Sequence, residues 1–354
     1  MAHSAPRLTG LATATPPHRL DQPTVRANAA QIFQRRTTSE LERLLATFDT
    51  ATIRQRYACL TLAQLAHPRG WADGNALYRR HAGDLLCETA ARTLADANLP
   101  AEAIDVIIVV STTGIATPSL DTELLNRLPF RPDVERVPLF GLGCCGGTLG
   151  LGRAAALAQA IPGRRVLLLT VELCSLTFRP ADSSNGNIVA AALFGDGAGG
   201  AILSTHEMDS GPALVAWGEH TWPATRDVMG WQVADDGLGV LFARRIPALV
   251  RAEFGKALDN FLEKQSLICK DIYEFACHPG GPKVLDALEE CVGLAPGGLA
   301  TERDVLADYG NMSSPTILFV LNRKRHDMKG PLLATALGPG FSAGFALFLP
   351  AAAS

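Results

Sequence analysis

The chain has 354 residues, of which 47% are hydrophobic and 19% charged, and its 32 Lys and Arg against 35 Asp and Glu give a formal net charge of −3. At about 150 residues per domain this length predicts two domain-sized units, and the balanced charge offers no basic face for nucleic acid. Residues 1–20 contain no continuous apolar segment and no later stretch is apolar over about 18 residues. We therefore expect a cytosolic (cytoplasmic) protein with no membrane span.

The eight cysteines form no pattern that is typical of a metal site. None belongs to a Cys-x-x-Cys pair or to a His-spaced set, and disulfide frameworks are a feature of much shorter secreted chains. We expect free thiols, most of them small buried hydrophobic residues, and no metal. The cysteines stand at positions 59, 87, 144, 145, 174, 269, 277 and 291.

Apolar periodicity predicts that helices and strands alternate. Residues 41–48 and 83–97 are amphipathic at helical spacing, 106–110 is a β-branched run, and a helical segment at 153–161 precedes the apolar run 166–171. Strands without polar alternation are typical of a sheet that is covered on both faces. We therefore expect an α/β protein with a buried, largely parallel central sheet.

The order of elements repeats in the second half of the chain. A helix at 85–97 and an apolar run at 105–110 with a polar end are followed later by a helix at 246–264 and an apolar run at 271–276 with a polar end. A Gly-x-Gly segment also opens an apolar run in each half. Each similarity alone fits chance, but together they favour two similar halves that meet near residue 207.

A glycine-rich segment at 140–153 opens an Ala-rich helix and fits two interpretations. Gly141-x-Gly143-x-x-Gly146 matches a dinucleotide-binding turn, with Glu172 after the next strand as the ribose-binding acid of an NAD(P)-dependent oxidoreductase. The motif alone is weak evidence. In addition, two cysteines lie where the pyrophosphate would approach.

In the second interpretation the same turn presents Cys144 as a nucleophile. Small residues allow a sharp strand-to-helix turn, and a helix N-terminus with a nearby imidazolium lowers the pKa of a thiol and supplies thiolate. A buried structural cysteine fits the turn equally well. The turn alone therefore leaves both roles open.

Two further loops carry a His and an Asn that would complete a reactive set with Cys144. His278 follows a predicted strand in Cys-His-Pro-Gly-Gly-Pro, and Asn311 follows a glycine before the apolar helix at 316–322. Singly, such a histidine is more often structural and such an asparagine more often a turn or cap. Together they predict a Cys/His/Asn site at strand ends, where α/β sheets place their sites.

Four motifs, in this order along the chain, resemble one family. Gly-Leu-Gly-Cys-Cys-Gly-Gly-Thr, Ala-Leu-Phe-Gly-Asp-Gly-Ala, His-Pro-Gly-Gly-Pro and Tyr-Gly-Asn-Met-Ser-Ser are similar to motifs of the type III polyketide synthases, the chalcone-synthase-like condensing enzymes. The resemblance spans residues 8–350. The segments 111–121 and 229–231 (Met-Gly-Trp) resemble the bacterial alkylresorcinol and alkylpyrone synthases more than the plant enzymes.

The resemblance implies a thiolase fold, which is a duplicated five-layered αβαβα arrangement of the α/β class. Residues 1–206 would form the half with the nucleophilic Cys, and residues 207–354 the half with the His and Asn. We expect residues 207–236, which carry three tryptophans between polar residues, to be a loop-rich insertion. A homodimer is also implied, with Thr117 reaching towards the partner's cavity.

Site residues of the family carry over to matching positions of this chain. Cys144 would be the nucleophile, while His278 and Asn311 would hold the thioester carbonyl. Phe194 matches the gatekeeper at the mouth of the cavity. Further substrate-binding positions match Thr112, Cys174, Thr177 and Ser313, with Val240 where a second bulky gatekeeper often stands.

The same resemblance places coenzyme A near Arg43 and Lys283. Two further basic positions of the family's entrance correspond to Ala46 and Thr50, and this departure leaves open which cations meet the phosphates. Acyl-CoA and malonyl-CoA are substrates rather than cofactors, and no other cofactor is implied.

The implied activity is iterative decarboxylative condensation of malonyl-CoA onto an acyl-CoA starter. Cys144 would carry the acyl group, and His278 and Asn311 would stabilise the enolate that decarboxylation leaves. Modest side chains at Cys174 and Val240 favour a medium- or long-chain fatty acyl starter, with alkylpyrones or alkylresorcinols as products. The alternatives are a single-condensation ketoacyl synthase of the initiating type and a catalytically silent subunit on the same scaffold.

Overall fold

The computed structural model describes residues 4–33 and 37–351, without the side chains of Thr38 and Arg43. Within these residues the chain forms thirteen strands and eleven α-helices. The strands are β1 Arg7–Ala14, β2 His18–Asp21, β3 Gln55–Ala58, β4 Val106–Val110, β5 Glu135–Leu139, β6 Arg165–Leu173, β7 Asp196–Ser204, β8 Ala213–Thr221, β9 Met229–Ala234, β10 Gly237–Phe242, β11 Glu274–Cys277, β12 Leu332–Gly338 and β13 Ser342–Leu349. The helices are α1 Gln22–Ile32, α2 Thr38–Thr50, α3 Leu62–Ala66, α4 Trp71–Asp96, α5 Asp121–Arg127, α6 Gly146–Ala160, α7 Asn185–Leu193, α8 Ile246–Glu263, α9 Pro282–Val292, α10 Ala300–Tyr309 and α11 Thr316–Lys324.

Nine strands form one mixed sheet in the order β11-β12-β13-β8-β1-β7-β6-β4-β5. β1 and β8 join its two sides through a single register pair, Arg7 with Ala213. On one side β4 and β6 are parallel, and β6, β7 and β1 pair antiparallel in turn. On the other side β11 and β12 are parallel, and β12, β13 and β8 pair antiparallel in turn. Both sides therefore follow one strand pattern, and the predicted duplication of the fold is confirmed.

Helices lie between the two sides of the sheet and outside each of them. α6 and α11 share one core with Ile108 of the first side and Leu332 of the second. On the outer face of the first side α4 packs against Ile107, and on the outer face of the second side α8 and α9 pack against Phe345. The layers therefore follow the order αβαβα, as the thiolase fold requires.

The predicted sheet direction is wrong, because among the described strands only the pairs β4–β5, β4–β6 and β11–β12 are parallel. Antiparallel strands such as β7 and β13 are buried along nearly their whole length. Their sequences are as continuously apolar as those of parallel strands, so periodicity does not distinguish the two directions. No helix among the described residues is both long and apolar enough to cross a membrane.

The predicted loop-rich insertion at 207–236 is also wrong. It contains β8, which pairs with β13 inside the large sheet, and β9, which forms a hairpin with β10. Glu219 and His220 give the end of β8 a polar character, and four of the six residues of β9 are only partly buried. Because these positions are polar or only partly buried, a search for apolar runs does not detect β8 and β9.

A buried ion pair connects α10 and α11, the helices on either side of Asn311, to β11, the strand that precedes His278. Lys324 of α11 is 8% exposed, and its Nζ lies 3.2 Å from a carboxylate oxygen of Glu302 in α10 and 3.1 Å from one of Glu274. The same Glu302 oxygen accepts a hydrogen bond from the backbone N–H of Cys277. This pair therefore fixes the end of β11.

Replacing Lys324 with Met is expected to destabilise the protein by about 3–5 kcal/mol, because Glu302 then stays buried without its counter-charge. Lys256→Met on the exposed face of α8 is the control, with an expected change within about 0.5 kcal/mol. Urea unfolding at neutral pH measures both. Equal stabilities of the two variants would contradict the role of this ion pair.

Candidate active site

The turn that carries Cys144 is shaped by close packing around glycines. The chain leaves β5, forms a short 3-10 helix at Gly143–Cys145 and continues directly into α6. Gly143 has φ of +50°, and a Cβ there would lie 2.6 Å from Pro339. A Cβ at Gly147 would lie 2.4 Å from the carbonyl oxygen of Ser314. Glycine therefore allows the start of α6 to touch the loop that leads into α11.

The dinucleotide interpretation of this turn is wrong. Val110 and Ser314 pack against Gly146 where a side chain would stand, so no space remains there for a pyrophosphate. Glu172 is fully buried and accepts hydrogen bonds from the backbone N–H and hydroxyl of Thr112 and from the hydroxyls of Thr113 and Ser314. Its carboxylate is therefore occupied by the protein and cannot bind a ribose.

His278 and Asn311 lie on loops that follow a strand and a helix of the second side. The backbone N–H of His278, just after β11, donates to the carbonyl of Thr335 in β12. Asn311 lies between α10 and α11, and its backbone donates to Leu193 and accepts from Gly195. These last two bonds form an isolated β-bridge between Asn311 and Phe194.

The structure brings Cys144, His278 and Asn311 together in one cavity. The Sγ of Cys144 lies 4.0 Å from the Oδ1 of Asn311, and that oxygen accepts a hydrogen bond of 2.8 Å from the backbone N–H of Ser313. The Asn311 amide nitrogen donates to the carbonyl of Gly280 at 3.3 Å. The cavity has a volume of only about 10 Å³, so its walls are closed around the three side chains. Its other walls are Met229, Phe242, Ile246, Gly280, Val284 and Leu337.

Burial keeps both the thiol and the imidazole of this site neutral. It raises the pKa of Cys144 to about 11, against the opposing effect of hydrogen bonds with Ser313 and Asn311. It also lowers the pKa of His278 to about 3, and neither ring nitrogen has a hydrogen-bond partner within the described part of the chain. The expectation of a lowered thiol pKa is therefore wrong, because desolvation outweighs the hydrogen bonds that favour the thiolate and the neutral His278 supplies no imidazolium.

Four of the predicted substrate-binding residues lie at this cavity or beside a second, apolar groove. Thr112 is held by Glu172, and Ser313 contacts Cys144. Cys174, Thr177 and Phe194 line the groove, which has a volume of about 60 Å³. Its other walls are mainly apolar side chains of β2, α1, α3 and α7, including Leu20, Val25, Ala29, Ile32, Leu62, Leu65 and Ala190.

The hairpin of β9 and β10 supplies residues that the sequence analysis did not assign. Met229 pairs with Phe242 and Trp231 pairs with Val240, so these four side chains share one face of the hairpin. Met229 and Phe242 line the cavity of Cys144, and the ring of Trp231 packs edge-on against Phe194 with centroids 6.4 Å apart. The bulk beside Phe194 therefore comes from Trp231, opposite Val240. Alternation with period 2 in both strands would have revealed this face.

Of the predicted coenzyme A and partner contacts, Lys283 and Thr117 lie on the surface. Lys283 is exposed in the first turn of α9, and the side chain of Arg43 in α2 lies outside the described residues. Thr117 is exposed in the loop before α5. Their assigned roles stay predictions.

Comparison with known proteins assigns the chain to a family. Models of the chalcone and stilbene synthases match it over residues 2–207 for the N-terminal domain and 214–350 for the C-terminal domain. The chain is 39% identical to the 1,3,6,8-tetrahydroxynaphthalene synthase of Streptomyces peucetius subsp. caesius, over 95% of this chain and 90% of that one. It is 33% identical to type III polyketide synthase A of Arabidopsis thaliana, over 85% and 82% of the two chains.

A solved structure agrees with these matches. The crystal structure of the 1,3,6,8-tetrahydroxynaphthalene synthase of Streptomyces coelicolor A3(2), a bacterial type III polyketide synthase, superposes with a TM-score of 0.92 at 28% identity. The match covers 97% of this chain and 99% of that one. The chain therefore belongs to the chalcone and stilbene synthase family and is an acyltransferase of the type III polyketide synthase class.

Proposed function

We propose that this enzyme condenses malonyl-CoA repeatedly onto an acyl-CoA starter, with Cys144, His278 and Asn311 as the catalytic residues. The observation that carries the proposal is the convergence of these three buried side chains on one cavity. A thiol, an imidazole and an amide are the nucleophile, base and oxyanion donor that acyl transfer requires. Acyl transfer and decarboxylation need no electron transfer, so the proposed reaction uses no metal or redox cofactor.

Loading begins with both side chains neutral. As the starter thioester binds, a ring nitrogen of His278 accepts the thiol proton and Sγ of Cys144 attacks the carbonyl carbon. The bond from that carbon to the sulfur of coenzyme A breaks, and the leaving thiolate takes the proton from His278. No described residue occupies either ring nitrogen of His278, so the nitrogen that carries no proton is free to accept this one.

Extension uses the same donors for a different oxyanion. Malonyl-CoA loses CO₂, the electron pair of the broken C–C bond forms an enolate, and His278 and the free amide N–H of Asn311 hold its oxygen. The enolate carbon attacks the thioester on Cys144, whose sulfur leaves. The acyl chain on coenzyme A is then two carbons longer, and its return to Cys144 starts the next round.

We propose a medium- or long-chain fatty acyl starter and alkylpyrone or alkylresorcinol products. The apolar groove beside Cys174, Thr177 and Phe194 supports this substrate, because each buried methylene contributes about 0.8 kcal/mol. A tetrahydroxynaphthalene product is the second candidate, since the relative with 39% identity carries that name. Acyl-CoAs of increasing length with labelled malonyl-CoA test both, and a product made from malonyl-CoA alone would favour the second. Release after a single extension would indicate a single-condensation enzyme.

We also propose that the enzyme is a homodimer. Within the described residues β5 pairs only with β4, so its second edge is open, and Ile115, Phe140 and Ile161 are exposed large hydrophobic residues. An open strand edge with apolar neighbours is suited to pairing with a second copy. The loop of Thr117 would then face the partner.

Cys144→Ala is expected to abolish the acyl-enzyme and the product, while Cys145→Ala keeps most of both. The reason is that the Cys145 thiol points away from the cavity and donates to the carbonyls of Ala336 and Ser342. Mass spectrometry of peptides from enzyme incubated with starter locates the acyl group. An acyl group found on Cys145 would overturn the assignment.

Alkylation of Cys144 in the free enzyme is expected to accelerate about tenfold per pH unit between about pH 7 and 10. With a pKa of about 11, the thiolate fraction of Cys144 rises with pH throughout this range. Iodoacetamide labelling of the Cys144 peptide at a series of pH values measures this rate. A rate that is constant between pH 5 and 8 would instead show a thiolate–imidazolium pair before substrate binds.

Replacing either donor with alanine should affect the two half-reactions, loading and decarboxylation, to different degrees. His278→Ala is expected to impair both loading and decarboxylation, whereas Asn311→Ala slows chiefly decarboxylation, by about 10²–10³-fold. Transfer of labelled starter to Cys144 and release of labelled CO₂ measure the two steps independently. Unchanged CO₂ release by Asn311→Ala would refute this division.

Cys174→Phe is expected to shift starter preference towards shorter chains, because an aromatic ring at this wall fills part of the apolar groove. Cys269→Phe, which adds the same ring beside the core of α8, is the matched control and should keep the original profile. Product chain lengths from competing starters measure the preference. The same profile in both variants would place the starter elsewhere.

A further inference from the structure

Asp196 is a fully buried carboxylate that the reaction proposed above does not use. It is the first residue of β7 and follows Gly195, whose backbone N–H donates to the carbonyl of Asn311. A buried charge is costly unless the protein supplies hydrogen bonds or a counter-charge. The partners of Asp196 therefore indicate what this side chain does.

Both carboxylate oxygens of Asp196 accept a hydrogen bond from a backbone N–H group. Oδ1 accepts one of 2.7 Å from Ser175, and Oδ2 accepts one of 2.9 Å from Cys59. Oδ2 also accepts a hydrogen bond of 2.6 Å from the hydroxyl of Ser175. The carboxylate thereby joins the chain at Cys59, just after β3, to the 3-10 helix Cys174–Thr177.

The two segments that Asp196 joins are walls of the apolar groove. Ala58 lines the groove just before Cys59, and α3 lines it a few residues later. On the other segment Ser175 lines the groove together with its neighbours. The carboxylate itself is not one of the walls, so it acts on the groove through these two segments.

The carboxylate of Asp196 is ionised at neutral pH. Burial raises its pKa to about 6, and hydrogen bonds from Ser175 and Cys59 act against this effect. An ionised carboxylate only accepts hydrogen bonds, and these partners donate to it. An amide in its place would turn its NH₂ group towards one of the two backbone N–H groups, whichever way it was rotated. At least one of the two backbone hydrogen bonds would then be lost.

We propose that Asp196 is a positioning residue for the starter, because it holds the chain at Cys59 and the 3-10 helix Cys174–Thr177 at the separation that sets the width of the apolar groove. The inference rests on the proposed function, in which this groove receives the acyl chain. Discrimination between chain lengths requires walls that stay in place, since an adaptable surface accepts many ligands. Asp196 therefore acts on starter binding and not on the chemistry at Cys144.

Hydrogen–deuterium exchange of the substrate-free enzyme tests whether Asp196 holds the two walls. In Asp196→Asn, a peptide that contains Cys59 or Ser175 is expected to exchange about tenfold faster than in the unaltered enzyme. Asp209→Asn is the matched control, because Asp209 accepts a hydrogen bond from Ser204 at the far end of β7. Unchanged exchange of both peptides in Asp196→Asn would overturn the proposal, whatever starter the enzyme uses. Exchange that rises equally throughout the chain would show only a loss of stability and would also overturn it.

Loading kinetics test the effect on the starter. With the acyl-CoA that the unaltered enzyme uses best, Asp196→Asn is expected to raise the KM for acyl transfer to Cys144 about tenfold. The kcat for loading and the rate of malonyl-CoA decarboxylation should stay within about twofold. The same values should be unchanged in Asp209→Asn.

The outcomes separate the role of Asp196 from the proposed function. An unchanged KM, or a loss of decarboxylation as large as the loss of loading, would refute a role in starter binding. An unaltered enzyme that forms no acyl-enzyme would contradict the proposed function and the starter role that rests on it. The exchange experiment does not depend on substrate, so it decides in either case whether Asp196 holds the walls of the groove.

Discussion

The packing of α6 and α11 between the two sides of the sheet is the constraint on which the site depends. Both helices begin at the same end of this central layer, and glycines at 146 and 147 let their first turns meet without intervening side chains. The loop of Cys144 is thereby held against the loop of Asn311. β11 and β12, which complete the second side, bring His278 to the same place. The convergence of the three side chains is therefore a result of layer packing.

The same packing determines the electrostatics of the site. Because the three side chains are at most 8% exposed, water cannot stabilise a thiolate or an imidazolium there. Glu172, the charged group behind the site, is held by Thr112, Thr113 and Ser314 and further disfavours a thiolate on Cys144. In the proposed reaction, reactivity therefore depends on the arrival of a substrate whose developing charge the donors can stabilise.

The sequence predicted the parts of the fold that are encoded locally. The run 106–110 is β4, and the repeated helix and strand order corresponds to α4 with β4 and α8 with β11. Strand direction was not predicted, because antiparallel strands that are buried on both faces lack polar alternation. The strands β8 and β9 were not predicted, because they are partly exposed and contain no continuous apolar run. Similarly, motifs predicted that Cys144, His278 and Asn311 lie together, as they do in one cavity, but the contribution of Trp231 depends on its register with Val240. The direction of the thiol pKa depends on burial, which no local pattern encodes.

The bridge between Phe194 and Asn311 links the apolar groove to the cavity of Cys144 through backbone atoms alone. The N–H of Asn311 donates to Leu193 and its carbonyl accepts from Gly195, so the side chain of Phe194 takes no part in these bonds. Arg56 adds a further connection by donating to the carbonyl of Phe194. The size of the residue at this position can therefore vary during evolution while the amide of Asn311 stays in place. Such a separation would let the volume of the groove change independently of the residues proposed for catalysis.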